Sequence, residues 1–371
     1  MADVAHTQLE PGKTYDVPFS TLMLDNKNPR LPESAYGKSQ SDLMAIFYRD
    51  YALDELAESY AANGFFPTEA LLILPDGSVI EGNRRLAALK YLFHDQDAEK
   101  AGLPPCDSLD SISQDNRTAL LNHIQVHVVT SREDLSAYLG FRHINGTKDW
   151  PSASKARYVY GRVEHYAKSD RSDVFKKVGH EIGSNTLGAR DWYICYALIM
   201  AAREQGLDQL SARLLVGNRF GVWRRLCGNQ VYSYIGFDPT AKTYDEIQSA
   251  ISNLNIQHFQ LLLQDIVPDD SGNLLLSDSR RASDYTTILG NEDAISTLRI
   301  SRDFELALLV AEGSPVNKRL QKAVDILQQV TISLENDAPS DGGTSKLIKR
   351  MRKQLDGIEG IIRGSDFGSQ G

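Results

Sequence analysis

The chain has 371 residues, 42% hydrophobic and 24% charged, the balance of an ordinary globular protein of two or three domains. Forty basic residues face 49 acidic ones, a formal charge of −9, which excludes a chain that coats nucleic acid by bulk charge but not a local basic groove. No apolar run approaches the roughly 18 residues a membrane helix needs. Met1 to Asp16 has neither the basic nor the apolar segment of a secretory signal. Cys106, Cys195 and Cys227 are too scattered for a disulfide scaffold or a metal site. These features lead us to expect a cytoplasmic protein without a membrane partner.

In chain order, residues 15 to 24 read as a short strand, and Asn26-Lys27-Asn28-Pro29-Arg30 as a turn. Leu43, Ile46, Phe47, Leu53, Leu56, Ala57 and Tyr60 predict one helix over 39–63, ended by Asn63-Gly64. Residues 69–74 and 78–81 form a hairpin turned by Pro75-Asp76-Gly77. Gly82 breaks the second strand, and Asn83 to Phe93 continue as a helix. Residues 95–118, polar and acidic with Gly102, Pro104 and Pro105, read as an irregular loop. Ile124 to Val129 alternate as a strand, and Ser131-Arg132-Glu133-Asp134 is a capping box opening a helix to Phe141. Helical patterns then cover 152–168, 173–182, 186–203, 208–216, 219–227, 243–253, 255–266, 291–298, 301–312 and 315–334. Asn336 to Ser345 has the composition of a linker, and a basic helix follows from Lys346 to Arg363. The predicted organisation is an α+β domain over 1–150, helical regions over 151–235 and 236–335, a linker over 336–345, and a basic tail over 346–371.

The segment richest in chemistry is Val79-Ile80-Glu81-Gly82-Asn83-Arg84-Arg85-Leu86-Ala87-Ala88-Leu89. An apolar strand runs into a glycine that lets a ligand approach the backbone. The N–H groups at a helix start bind anions. Arg84 and Arg85 add forked, permanently charged donors suited to phosphate. Two cations at a helix N-terminus oppose its dipole, by roughly 0.3–1 kcal/mol each, and an anion would relieve that conflict. The residues alone leave two readings open: phosphate binding, or arginines paired with Glu81 or a loop carboxylate.

Three stretches in this order resemble the boxes of the ParB/sulfiredoxin superfamily. Lys27-Asn28-Pro29-Arg30 resembles its NPR-type turn. Gly64-Phe65-Phe66-Pro67 resembles its G-x-x-x-P-I box. Glu81-Gly82-Asn83-Arg84-Arg85-Leu86-Ala87-Ala88 resembles its G-E-R-R-x-x-A phosphate motif. The first 150 or so residues are therefore similar to the N-terminal domain of ParB-like proteins, and the resemblance implies one nucleotide pocket. Gly82, Asn83, Arg84 and Arg85 would hold the triphosphate of CTP or ATP, with Glu81 a further nucleotide-binding residue. Gly64, Phe66, Pro67 and Thr68 would flank the nucleoside, and Asn28 and Arg30 would close the rim. Phe65 and Phe66 also read as core, and Glu69 either begins the strand or hydrogen-bonds a sugar or base.

In ParB proteins a fourth box, E-N-x-x-R-x-x-L-x-P-x-E-x-A, helps to hold magnesium beside CTP. Arg142 and His143 stand at its first two positions here. Magnesium prefers oxygen ligands, and an arginine supplies none, which leaves Asn145 or Asp149 as substitutes. Sulfiredoxin chemistry needs a cysteine in the phosphate loop, where this chain has Asn83.

ParB proteins follow this domain with a helix-turn-helix, and Asp173 to Arg203 has the matching size. The resemblance would place Asn185, Thr186 and Arg190 at a DNA major groove, with Trp192 to Ala202 as core. Arg213, Arg219, Arg224 and Arg225, interleaved with Phe220 and Trp223, either pair with nucleic acid or form a solvated helix face. Lys346, Lys349, Arg350, Arg352 and Lys353 suit a phosphate backbone, an acidic partner or a second copy of the chain. Ser277-Asp278-Ser279-Arg280-Arg281 is a further polar loop cluster. The leading expectation is an α+β ParB/sulfiredoxin-like domain followed by a mostly α-helical region with a helix-turn-helix. It would bind CTP or ATP, with or without Mg2+, and engage DNA or a protein partner in a nucleotide-dependent way, in a plasmid, phage or defence context. The alternatives are an NTPase or DNA nuclease, and an adaptor with a vestigial pocket.

Overall fold

The structure, a computed structural model, describes residues 9–66, 69–144, 150–215, 219–313, 316–335 and 343–368. They belong to two units, divided between Leu289 and Gly290.

The first unit begins with β1 (Thr14–Val17) and β2 (Met23–Leu24), where the sequence suggests one strand. Pro18 has no N–H to give a ladder, and Phe19–Thr21 turns as a 3-10 helix between them. The helix expected over 39–63 is two, α1 (Gln40–Asp50) and α2 (Leu53–Asn63). Ser39 caps α1 by accepting from the Asp42 N–H at 3.2 Å. Ala52 separates the two helices in the left-handed region, at φ 44°.

The hairpin of β3 (Leu71–Ile73) and β4 (Ser78–Glu81) forms as expected. Gly77 has φ 85° and comes so near the Thr21 carbonyl that a Cβ would sit 2.8 Å from its oxygen. Only glycine fits that tip without a backbone shift. Beyond it runs α3 (Asn83–Leu92).

The segment 95–118 is not an irregular loop. It holds α4 (Gln96–Lys100), a 3-10 turn at Asp107–Ser111 and the start of α5 (Gln114–Asn122). These pieces are polar and too short to show apolar periodicity, so caps define them instead: Asp95 accepts from Asp97 N–H and Ala98 N–H, and Ser113 from Asn116 N–H. Lys90, only 4% exposed, anchors the first of them through Asp95 and Asp97 at 2.9 and 2.7 Å. Next come β5 (Ile124–Val128), a 3-10 turn at Glu133–Leu135, and α6 (Ser136–Ile144).

The strands make one mixed sheet in the order β1-β5-β3-β4-β2. β1 is antiparallel to β5, and β3 to β4, while β5–β3 and β4–β2 are parallel. Because side chains alternate along a strand, β4 serves two cores. Val79 joins the main core of Leu43, Phe47, Leu86, Leu89 and Val126, and Ile80 joins a smaller cluster with Leu139 and Trp150. Each fully buried leucine or phenylalanine there contributes on the order of 1.5–3 kcal/mol.

The rest of this unit is helical: α7 (Ser152–Ala167), α8 (Val174–Glu181), α9 (Thr186–Glu204), α10 (Asp208–Leu214), α11 (Arg219–Leu226), α12 (Asn229–Tyr234), α13 (Tyr244–Ser252), α14 (Ile256–Ile266) and α15 (Ala282–Leu289). α9 is its centre, with every side chain from Tyr193 to Ile199 buried. The Trp223 Nε1–H donates to the Cys195 carbonyl at 2.8 Å, tying α11 to it. The second unit holds α16 (Glu292–Ser301), α17 (Phe304–Ala311), α18 (Val316–Glu335) and α19 (Thr344–Gly368). The predicted linker falls mostly outside the described residues, and Thr344 already opens α19. Among the described residues no helix is long and apolar enough to cross a membrane.

Candidate functional site

Gly82 sits at φ 103°, between the end of β4 and the first turn of α3. A Cβ there would collide with the buried Leu71 side chain, so any other residue at this position is strained on two grounds. No side chain caps α3, and its first turn carries no acidic residue. The Asn83 and Arg84 N–H groups therefore begin the helix without an intrahelical acceptor, the arrangement that attracts an anion.

Among the described residues no carboxylate pairs with Arg84, whereas Arg85 is paired with the half-exposed Glu69. Arg84 donates from Nε to the Tyr51 carbonyl at 2.6 Å and from a terminal nitrogen to the Ala52 carbonyl at 2.8 Å. Both acceptors lie at the α1–α2 joint, so Arg84 braces the left-handed break without being neutralised. Arg85 donates to the Glu69 carbonyl, lies 3.7 Å from the Glu69 carboxylate, and stands 5.9 Å over the Phe65 ring.

These groups line a cavity of about 360 Å³, within the size range of small-ligand sites. Its far wall comes from α6 and Trp150. His143 Nε2 is 2.9 Å from Glu81 Oε2, Arg142 Nε is 3.8 Å from Glu81 Oε1, and the His143 ring stacks on Trp150 at 5.0 Å. Burial pushes the Glu81 carboxyl up, but the His143 hydrogen bond and charge, with Arg142 and Arg85, outweigh it and hold the carboxyl below its ordinary value.

The rim is Asn28 and Arg30. The Asn28 Oδ1 accepts from the Arg30 N–H at 2.9 Å, an Asx turn that sets the direction of the arginine. The Arg30 guanidinium lies 5.1 Å over the Tyr51 ring, and its buried Nε has no hydrogen-bond partner. Burial lowers its pKa from the ordinary arginine value; Tyr51 opposes that shift and the Arg84 charge adds to it. An anion between Arg30 and Arg84 would satisfy both.

Most of the sequence candidates thus converge: Asn28, Arg30, Phe66, Glu69, Glu81, Gly82, Asn83, Arg84 and Arg85 all line the cavity. Asn83 offers only its backbone. Its amide accepts from the Asp25 N–H at 2.7 Å and donates to the Val79 carbonyl at 2.6 Å, so the side chain is a brace. Gly64 ends α2 at φ 75° and is not among the cavity's lining residues. Pro67 and Thr68 lie outside the described residues. The two phenylalanines part company: Phe65 packs on Tyr60 as core, whereas Phe66 is 53% exposed at the cavity. Sequence reasoning assigns Arg142 and His143 no positive role, and Trp150 none beyond the alignment. Their positions in a degraded box are the one signal that they lie here.

Magnesium does not fit the carboxylates on view. Glu81 is engaged by His143 and Arg142, Glu69 faces Arg85, and Arg132 holds both oxygens of Asp25 at 2.7 and 2.8 Å. No group of three or more acidic, histidine or cysteine side chains is poised for a metal among the described residues. Asn145 and Asp149 lie outside them.

The proposed DNA-reading residues stand at the start of α9, joined to α8 by a turn over 182–185. Asn185 is its cap, accepting from the Gly188 N–H at 2.7 Å, which occupies the side-chain oxygen. Thr186 is exposed and Arg190 half-buried. In the arginine cluster, Arg213 turns away to the Pro268 carbonyl and Asp270, while Arg219, Arg224 and Arg225 share a second cavity. Neither the known protein-family models nor the curated protein sequences give a match to this chain.

Proposed function

We propose that the chain is a ParB-like protein that binds a nucleoside triphosphate, CTP or ATP, in the cavity at Gly82. One observation carries this reading. An uncapped helix start, opened by a glycine whose replacement strains the backbone, floors a 360 Å³ cavity rimmed by Arg30, Arg84 and Arg85. Phosphates would sit on the Asn83 and Arg84 N–H groups, with Arg30 and Arg84 on either side and the nucleoside toward Phe66. The helical region then engages DNA or a protein partner in a way that depends on the bound nucleotide.

A hydrolytic version of the same reading has its own support. The His143–Glu81 hydrogen bond lies in the wall of the cavity, where it could relay a proton.

Calorimetry with CTP, ATP, GTP and UTP, with and without magnesium, on wild type and Arg84→Ala, tests both. Saturable binding that Arg84→Ala weakens at least tenfold supports the switch, and phosphate release on top of it supports the hydrolase. Wild type that binds none of the four overturns the proposal and leaves the adaptor reading.

A further inference from the structure

Beside the nucleotide cavity lies a larger one of about 900 Å³, within the same unit. Arg30 and Trp150 line both, so the two open on a common wall. On the other side stand the N-terminal turns of α7, the α11 helix and the loop at Ser277–Ser279, the polar cluster that had no place in the site above.

This cleft carries more fixed positive charge than its own carboxylates offset. Five arginines line it: Arg30, Arg157, Arg219, Arg224 and Arg225. Its two carboxylates are each drawn to another arginine, Glu33 to Arg203 at 2.8 Å and Asp278 to Arg280 at 2.8 Å. Among the described residues no carboxylate forms an ion pair with Arg30, Arg224 or Arg225. Arg157 and Arg219 are held by backbone oxygens, those of Pro29 and Leu31 and those of Leu276 and Ser277. Carbonyls fix the direction of a guanidinium without cancelling its charge. Arg224 is held another way, 3.7 Å over the Trp192 ring. The charges are thus oriented before any ligand arrives.

We propose that this cleft binds a stretch of single-stranded nucleic acid along its phosphodiester backbone. It is more than twice the volume of the nucleotide cavity, and its arginines come from three separate places, the turn at Arg30, α7 and α11, which suits several phosphates of a chain better than one triphosphate. A duplex is read by an element that protrudes into its grooves, and this site is recessed, so a flexible strand fits it. The inference rests on the reading that the helical region has a partner, and it names that partner and its place.

The test is fluorescence anisotropy of the full chain with a labelled oligo-dT of about 12 nucleotides, inside the ~4–16-nucleotide span of single-strand sites. Wild type binds with an affinity that falls as salt rises. The Arg224→Glu/Arg225→Glu variant binds at least tenfold more weakly, with a salt slope smaller by about 1.4, near 0.7 for each phosphate that is no longer neutralised. Both side chains are exposed and neither lines the nucleotide cavity, so the variant keeps its nucleotide affinity, and its melting curve drops only by the lost contact of Arg224 with Trp192. Absence of oligo-dT binding, unchanged affinity in the double variant, or equal affinity for a duplex of the same length would overturn the proposal. Arg84→Ala separates the two sites: it weakens nucleotide binding, and with no nucleotide added its oligo-dT affinity equals that of wild type.

Discussion

The carboxylate of Asp25 takes both terminal nitrogens of Arg132, at 2.7 and 2.8 Å, across 107 positions of chain. The same carboxylate accepts from the Lys27 N–H, and the Asp25 N–H donates to Asn83. One residue thus ties the turn that carries Asn28 and Arg30 to the helix that carries Arg84. Asp25 is 3% exposed, so removal of its partner strands a buried charge. Arg132→Leu should cost about 3 kcal/mol, read as a lower urea midpoint.

Gly82→Ala brings together a Cβ that strikes Leu71 and a φ of 103° that alanine avoids. The strain is about 1–3 kcal/mol. Stability by urea titration should fall by that amount, and nucleotide binding by calorimetry should fall further than stability alone explains, because the backbone can no longer approach a phosphate.

Glu81 contributes stability that depends on acidity. Its folded pKa is depressed, so the contribution is complete above the ordinary glutamate value of about 4.3 and is lost as pH falls through the folded value. The stability gap between wild type and Glu81→Gln should close as pH falls below that glutamate value. A gap that widens in acid would mean that burial, and not the His143 and arginine neighbours, dominates this carboxyl.

Phe66 is the exposed aromatic at the cavity. Phe66→Ala should leave unfolding within about 0.5 kcal/mol of wild type, as an exposed substitution does. Nucleotide affinity should drop several-fold, while inorganic triphosphate, which has no base to stack, binds as before. Phe65→Ala should do the reverse, because that ring packs on Tyr60 in the core.

Local chemistry made much of this legible in advance. Pro75-Asp76-Gly77 marks the hairpin, and Gly82-Asn83-Arg84-Arg85 marks the start of α3 with its two arginines, because turn and helix-start preferences act over a few residues. The break at Tyr51 and Ala52 has no glycine or proline to announce it, and the Arg84 side chain that braces it is 32 positions away. The His143–Glu81 pair spans 62 positions and the Asp25–Arg132 pair 107. Contacts of that range leave no periodic trace. Asn83 shows the difference most sharply: its place in the motif is visible in sequence, yet its side chain belongs to the sheet.

The first strand of the sheet has its hydrogen-bonding partner in the last: Thr14 is paired with His127 and Val17 with Ile124. While the ribosome is still making the residues in between, β1 is a strand without a neighbour. The domain's sheet is complete only after β5 emerges, so its folding is set by a long loop closure, and it lags synthesis of α3 by more than 30 codons.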